Sequence, residues 1–163
     1  MISSRYSNLQ ATSLVVLRIL IGWHFLYEGL VKVTNPDWTS AGYLLDSGGF
    51  MAGFFKSLAS SPTMVNSIDF LNEWGLVAIG LGLIAGCLTR VAIISGMALL
   101  AFYFLSHPPL VGIRYAVPSE GSYLWVNKNL IEIAALFVLY LFPTEREYGI
   151  DRLLFGAKKH SNG

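Results

Sequence analysis

Charge is what this chain has least of. Of its 163 residues, 13% are Asp, Glu, Lys or Arg, about half the share usual in a soluble domain. Hydrophobic residues make up 54% and the mean hydropathy is +0.56, which places the chain in the membrane class. A net charge of +1 supplies no concentrated basic surface, so nucleic acid is excluded as a partner. The single cysteine, Cys87, rules out an internal disulfide and a CxxC redox pair. Redox chemistry would therefore need a bound group or another protein as its electron carrier. A Gly-rich phosphate loop, a Ser-His-Asp order and an internal repeat are all missing, and no stretch is biased enough in composition to suggest disorder.

Long apolar runs are what the chain has instead. A spanning helix takes roughly 20 mostly apolar residues, and segments 12–33, 70–88, 91–106 and 123–142 answer that description. The third is the shortest and stops at "SHPPL", where Pro108 and Pro109 cannot continue a helix. Its junction with the second, "GCLTRV", is tight enough to demand an antiparallel hairpin. The expected fold is all-α: a polytopic membrane four-helix bundle, one domain over residues 1–163. The first run carries Arg18, His24 and Glu28 and lacks a clean small-x-small site, so it is expected to be retained rather than cleaved as a signal peptide.

Residues 34–69 form an outer loop that is not simply polar. Trp38, Tyr43, Phe50, Phe54 and Phe55, broken by glycines and Pro62, predict one or two short amphipathic helices lying at the membrane surface. Arg5, Arg90, Arg146, Arg152, Lys158 and Lys159 fall on one side of the spans, against Lys56 and Arg114 on the other, with Lys32 at the border. That bias predicts an N-in/C-in, multi-pass protein of the cytoplasmic (inner) membrane, with 143–163 as a cytoplasmic tail.

Within the first run, "GWHFLYEGLVK" sets His24, Glu28 and Lys32 at four-residue steps, on one helix face. Counting 1.5 Å per residue, His24 lies roughly 14 Å below Val33 and Glu28 roughly 8 Å below it. In the fourth run, read from Tyr123, Lys128 lies at roughly 8 Å and Glu132 at roughly 14 Å, with Glu73 at roughly 5 Å in the second. Acids and bases thus match by level, Glu28 with Lys128 and His24 with Glu132. A charge inside a bilayer costs about 3 kcal/mol or more, so such groups face the bundle interior and pair. The expectation is one polar pocket in the outer half, walled by the first, second and fourth helices. The plainer reading is that two ion pairs fix how the helices dock. Apolar packing often replaces such pairs at no cost, however, so stability is a weak reason to keep them.

His24, Glu28 and Glu132 are the candidates for handling protons. Arg18, Trp23, Tyr27, Lys32, Glu73 and Lys128 are the candidates for holding a ligand, with Glu73 at the mouth. Trp23 lies deep enough to stack on a flat ligand, although core filling is its plainer role. Arg18, in the inner half, either snorkels to the headgroups or anchors an anionic group or carbonyl. Gly82 and Gly86 make a small-xxx-small pair for packing, and a homodimer could use it. Haem held between helices usually takes two facing axial ligands, and His24 has no partner at its depth: His107 ends the third helix and His160 is in the tail. A structural metal is equally short of ligands, so neither haem nor metal is expected. Protons are what the pocket can move, since histidine titrates near neutral pH. Quinone reduction consumes two protons with two electrons, and a membrane quinone is apolar with two carbonyl oxygens.

The patterns "LRILIG…EGLVK", "EWGLVAIGLGLIAGCLTR" and "YGIDRLL" resemble the DoxX/DoxD family over nearly the whole chain. The resemblance implies a small four-helix membrane protein in a quinone-linked redox role, usually with partner subunits, since DoxD is associated with a thiosulfate:quinone oxidoreductase. Arg18, Glu28, Gly29, Lys32, Glu73, Gly86, Arg90 and Asp151 match the family's polar and small positions. Many relatives have histidine directly before the first-helix glycine, where this chain has Glu28, its own histidine being one turn earlier at His24. The expected function is a membrane subunit that binds quinone in the outer-half pocket and accepts electrons from a soluble or peripheral redox enzyme on the outer face. The alternatives are a non-catalytic anchor for a redox or stress-response enzyme and a small-solute or proton transporter. Whether this chain is itself catalytic stays open at this point.

Overall fold

The computed structural model describes residues 6–116, 124–145 and 148–155. Arg5, Tyr123, Arg146, Lys158, Lys159 and His160, used above to place a helix start, the basic bias or a ligand, lie outside the described residues. The elements are α1 (Asn8–Val33), α2 (Ala41–Leu45), a 3-10 turn (Gly49–Met51), α3 (Ala52–Ala59), α4 (Pro62–Ala85), α5 (Thr89–Ser106), α6 (Lys128–Leu141) and α7 (Asp151–Phe155).

Local chemistry explains most helix ends. Ser7 opens α1 with a capping box: its hydroxyl accepts from Gln10 N–H at 3.3 Å and its own N–H donates to the Gln10 amide oxygen at 3.0 Å. Pro62 opens α4, where its missing N–H would have been unpaired anyway. This helix therefore begins well before the apolar run 70–88 and takes in residues expected in the outer loop. It stops at Gly86, whose φ of 65° suits a residue without a Cβ. The α5 helix ends ahead of Pro108 and Pro109, as expected, and Asn127 caps α6 by accepting from Leu130 N–H at 3.1 Å.

The fourth expected span is corrected. Instead of a helix across 123–142, α6 has 14 residues, roughly 21 Å against the ~30 Å of a hydrocarbon core. Hydropathy is high before it, but Leu124 (φ 51°) and Trp125 (φ 75°) adopt left-handed backbone, so the helix starts afresh at its Asn127 cap. Among the described residues, three helices, α1, α4 and α5, are long and apolar enough to cross a membrane. They pack with α6 in the ring order α1, α4, α5, α6 and back to α1. Leu83, Ile93 and Leu136 fill the centre, each no more than 1% exposed. Val16, Leu20, Ile94 and Phe137 face outward, which in water would be an aggregation liability and in lipid is a solvated surface. The chain is an all-α polytopic membrane protein.

The segment after α6 folds back onto the bundle. Ile150 N–H donates to Ala85 O at 3.2 Å and Asp151 N–H to Gly86 O at 2.8 Å. The Asp151 carboxylate accepts from Leu88 N–H at 2.7 Å and Thr89 N–H at 2.9 Å, capping α5. Gly82 faces Ala92 inside the chain and Gly86 sits against Gly149, so the glycines that suggested a dimer face pack internally.

Candidate functional site

A cavity of about 420 Å³ opens at the end of the bundle where α1 and α5 finish and α6 begins. Its deep wall is apolar, with Phe25, Leu76 and Leu100, and its polar groups come from α1, α4, α5 and α6. His24 Nδ1 lies 2.9 and 3.1 Å from the two carboxylate oxygens of Glu132, so residues 108 apart in the chain meet across the α1–α6 contact. Glu28, half exposed, pairs with Lys32 at 3.8 Å along the same face. Lys128, the first residue of α6, lines the cavity beside them.

Lys32 is held on several sides. Its ammonium donates to the Asn72 side-chain oxygen at 3.1 Å and lies 5.3 Å from the Trp38 ring centre and 5.7 Å from that of Tyr103, within cation–π range. The Asn72 amide in turn donates to the Tyr103 hydroxyl at 2.6 Å. At the outer rim, the His107 ring is stacked between Tyr43 (3.9 Å) and Tyr115 (4.6 Å). Its Nε2 is 3.6 Å from Asp46 and its Nδ1 3.0 Å from the Ser106 hydroxyl. Burial holds the His107 pKa below its ordinary 6.5, with Asp46 pulling the other way. Two loops are joined here: Gly48 N–H donates to Ser106 O at 3.0 Å and Ala116 N–H to the Asp46 carboxylate at 3.0 Å.

Of the residues singled out from sequence, His24, Glu28, Lys32 and Lys128 line the cavity, and Glu132 joins them through His24. Four others do not. Trp23 and Tyr27 are 58% and 56% exposed and pack on each other at 6.5 Å. Each precedes a cavity residue by one position, which on a helix turns it about 100° away toward lipid. Arg18 is 2% exposed but sits at the other end of the bundle, where it donates to Thr144 Oγ1 at 3.2 Å and Tyr148 O at 2.8 Å. It neither snorkels nor meets the cavity; the carbonyl it anchors belongs to its own chain. Glu73 is half-buried off the lining, because Asn72 takes the inward position one residue earlier.

Asn72, Tyr103, Trp38, Tyr43 and His107 are among the cavity residues that sequence reasoning did not assign. An amide inside an apolar run was a usable signal for Asn72. Nothing marked Tyr103 within the aromatic run of α5, and His107 was set aside for its depth although the loops bring the cavity up to it. Among the described residues, no three His, Cys, Asp or Glu side chains converge as a metal site would require. The arrangement can accept a flat, largely apolar molecule with polar ends, and it offers a histidine–carboxylate pair to bind or release a proton.

The sequence profile of the DoxX family matches residues 13–108, more than half of the chain, covering α1 through α5 but not the α6 wall. No curated protein matches the chain, and no solved structure does.

Proposed function

The chain belongs to the DoxX family, and from that premise we propose that it is the membrane subunit of a quinone-linked oxidoreductase, with quinone bound in the cavity beside His24. One observation carries the reading: a histidine–carboxylate pair, 2.9 Å apart, opens onto an apolar-walled cavity inside a membrane bundle. The donor set fits a quinone, since Phe25, Leu76 and Leu100 suit the ring and tail while His24, Lys32 and Lys128 supply donors for oxygen. When bound, such a group supplies the acceptor for two electrons and two protons. The chain's own part is to place, hold and release protons. Glu132 engages His24 at Nδ1, which orients the ring and leaves Nε2 for the ligand. Glu28, half exposed at 48% of its side chain, can replace that proton from the water side.

Electrons come from a partner enzyme carrying its own redox group, because the lone Cys87 gives this chain no redox pair. The partner docks on the outer loop, where Leu45, Phe50 and Phe54 of the α2–α3 region are exposed. In this reading the chain lies in the cytoplasmic membrane with both termini inside and the cavity toward the outer face. His24→Gln tests it, since glutamine keeps a donor for Glu132 but carries no titrating proton. Purified wild-type protein is expected to release quinone on solvent extraction, and the variant is expected to assemble yet lose quinone-dependent turnover with its donor enzyme. Wild-type protein free of quinone, or unchanged turnover in the variant, leaves the His24–Glu132 pair a docking contact and ends the proposal.

A further inference from the structure

Hydrogen-bond direction at the Lys32 end of the cavity has a forced consequence. A lysine ammonium has donors and no acceptor, so the Asn72 oxygen must be the atom that faces it, at 3.1 Å. The Asn72 nitrogen then faces Tyr103 and donates to its hydroxyl oxygen at 2.6 Å. Tyr103 is therefore an acceptor within this chain of contacts, and its own hydroxyl hydrogen is turned elsewhere. Among the described residues no acceptor lies within hydrogen-bond distance of it, while Tyr103 lines the cavity. The charge at Lys32 polarises both links in one direction, which strengthens the terminal O–H as a donor.

Geometry along α1 sets the spacing. Helical side chains lean toward the N-terminus, and the Lys32 ammonium accordingly reaches down to Glu28, 3.8 Å away. That level is one helical turn from His24, roughly 6 Å along the axis, so the two groups stand at different depths in the cavity. We infer that Tyr103 is the second oxygen-binding group of the cavity: its hydroxyl donates to the carbonyl oxygen at the end of the ligand opposite His24. Asn72 and Lys32 are the positioning residues that aim it. The inference rests on the quinone reading above and assigns to the cavity a ligand with two opposed oxygens, rather than a lipid tail or a molecule with one polar end.

The test is a binding titration of purified protein in detergent with decylubiquinone, read by calorimetry, together with the infrared carbonyl bands of the bound probe. Tyr103→Phe keeps the ring and removes the donor. It is expected to weaken binding about tenfold and to shift one of two carbonyl bands upward, leaving the band at the His24 end in place. Asn72→Asp guards against a variant that fails to fold. The new carboxylate has no N–H, still pairs with Lys32, and draws the Tyr103 hydrogen to itself, so the same weakening and band shift are expected with the tyrosine intact. Wild-type binding with neither variant altering affinity or bands overturns the role of Tyr103 and leaves the quinone reading standing. Wild-type protein that does not bind the probe overturns both.

Discussion

A methyl group placed on Gly80 would lie 2.5 Å from Leu26 N and 2.7 Å from Gly22 O, both backbone atoms that cannot step aside without moving a whole helix. Here α1 and α4 pack backbone against backbone. Gly75 lies on the same helix with open space at its Cβ position. Gly80→Ala is expected to destabilise the protein by about 2 kcal/mol, as overpacking does. Gly75→Ala should be neutral or gain up to ~0.5 kcal/mol from helix propensity. Chemical denaturation of the two variants in mixed micelles checks this, and equal effects would show that the α1–α4 approach is not the constraint. Composition shows that glycine is frequent in α4, but not which glycine is squeezed. That depends on the partner helix's rotation, which one sequence does not contain. Similarly, the four-residue stripe His24, Glu28, Lys32 was legible because helical periodicity is a local property. The outward turn of Trp23 and Tyr27 follows from the same periodicity once the stripe is known to face inward.

The α5 helix starts immediately after Leu88, which has left-handed backbone and offers no side-chain cap. Its first N–H groups are satisfied by Asp151, 62 residues further along the chain at Thr89. Arg18 binds the same returning segment at Thr144 and Tyr148. Elements distant in sequence are thus joined at the end of the bundle away from the cavity. Removing the carboxylate with Asp151→Ala is expected to cost about 1–2 kcal/mol, seen as a lower melting temperature, with Asp151→Asn in between. A melting temperature unchanged in Asp151→Ala would mean the cap carries no stability. The motif "YGIDRLL" was visible in the sequence, yet its work as a remote cap was not, because capping rules describe spacings of a few residues. The shortness of α6 was hidden for a related reason: hydropathy cannot see the left-handed turn at Leu124 and Trp125.

At the scale of the molecule, two loops joined at His107 border the mouth of the cavity. With its pKa held below 6.5 by burial, His107 stays neutral in the folded state at a pH where an unfolded histidine already takes a proton. The unfolded state then binds more protons, so stability falls as pH drops below about 6.5 through the folded value. Asp46 offsets part of this, and the rings of Tyr43 and Tyr115 leave the imidazolium little room for water. Melting temperature should therefore fall between about pH 7 and pH 5, and His107→Gln should flatten that fall. A variant as pH-sensitive as the wild type would assign the effect to another group.

Membrane residence, helical class and the inward stripe of α1 were determined by the sequence alone, since each depends on composition or on a period of 3.6 residues. Even the meeting of His24 with Glu132 could be foreseen by counting depth, because straight helices convert residue number into height. What only the tertiary structure decided was rotation and closure: Asn72 rather than Glu73 facing inward, Arg18 tied to the returning tail, and Tyr103 and His107 joined to the cavity. Those outcomes depend on how helices turn against each other and where loops land, and packing of the whole chain sets both.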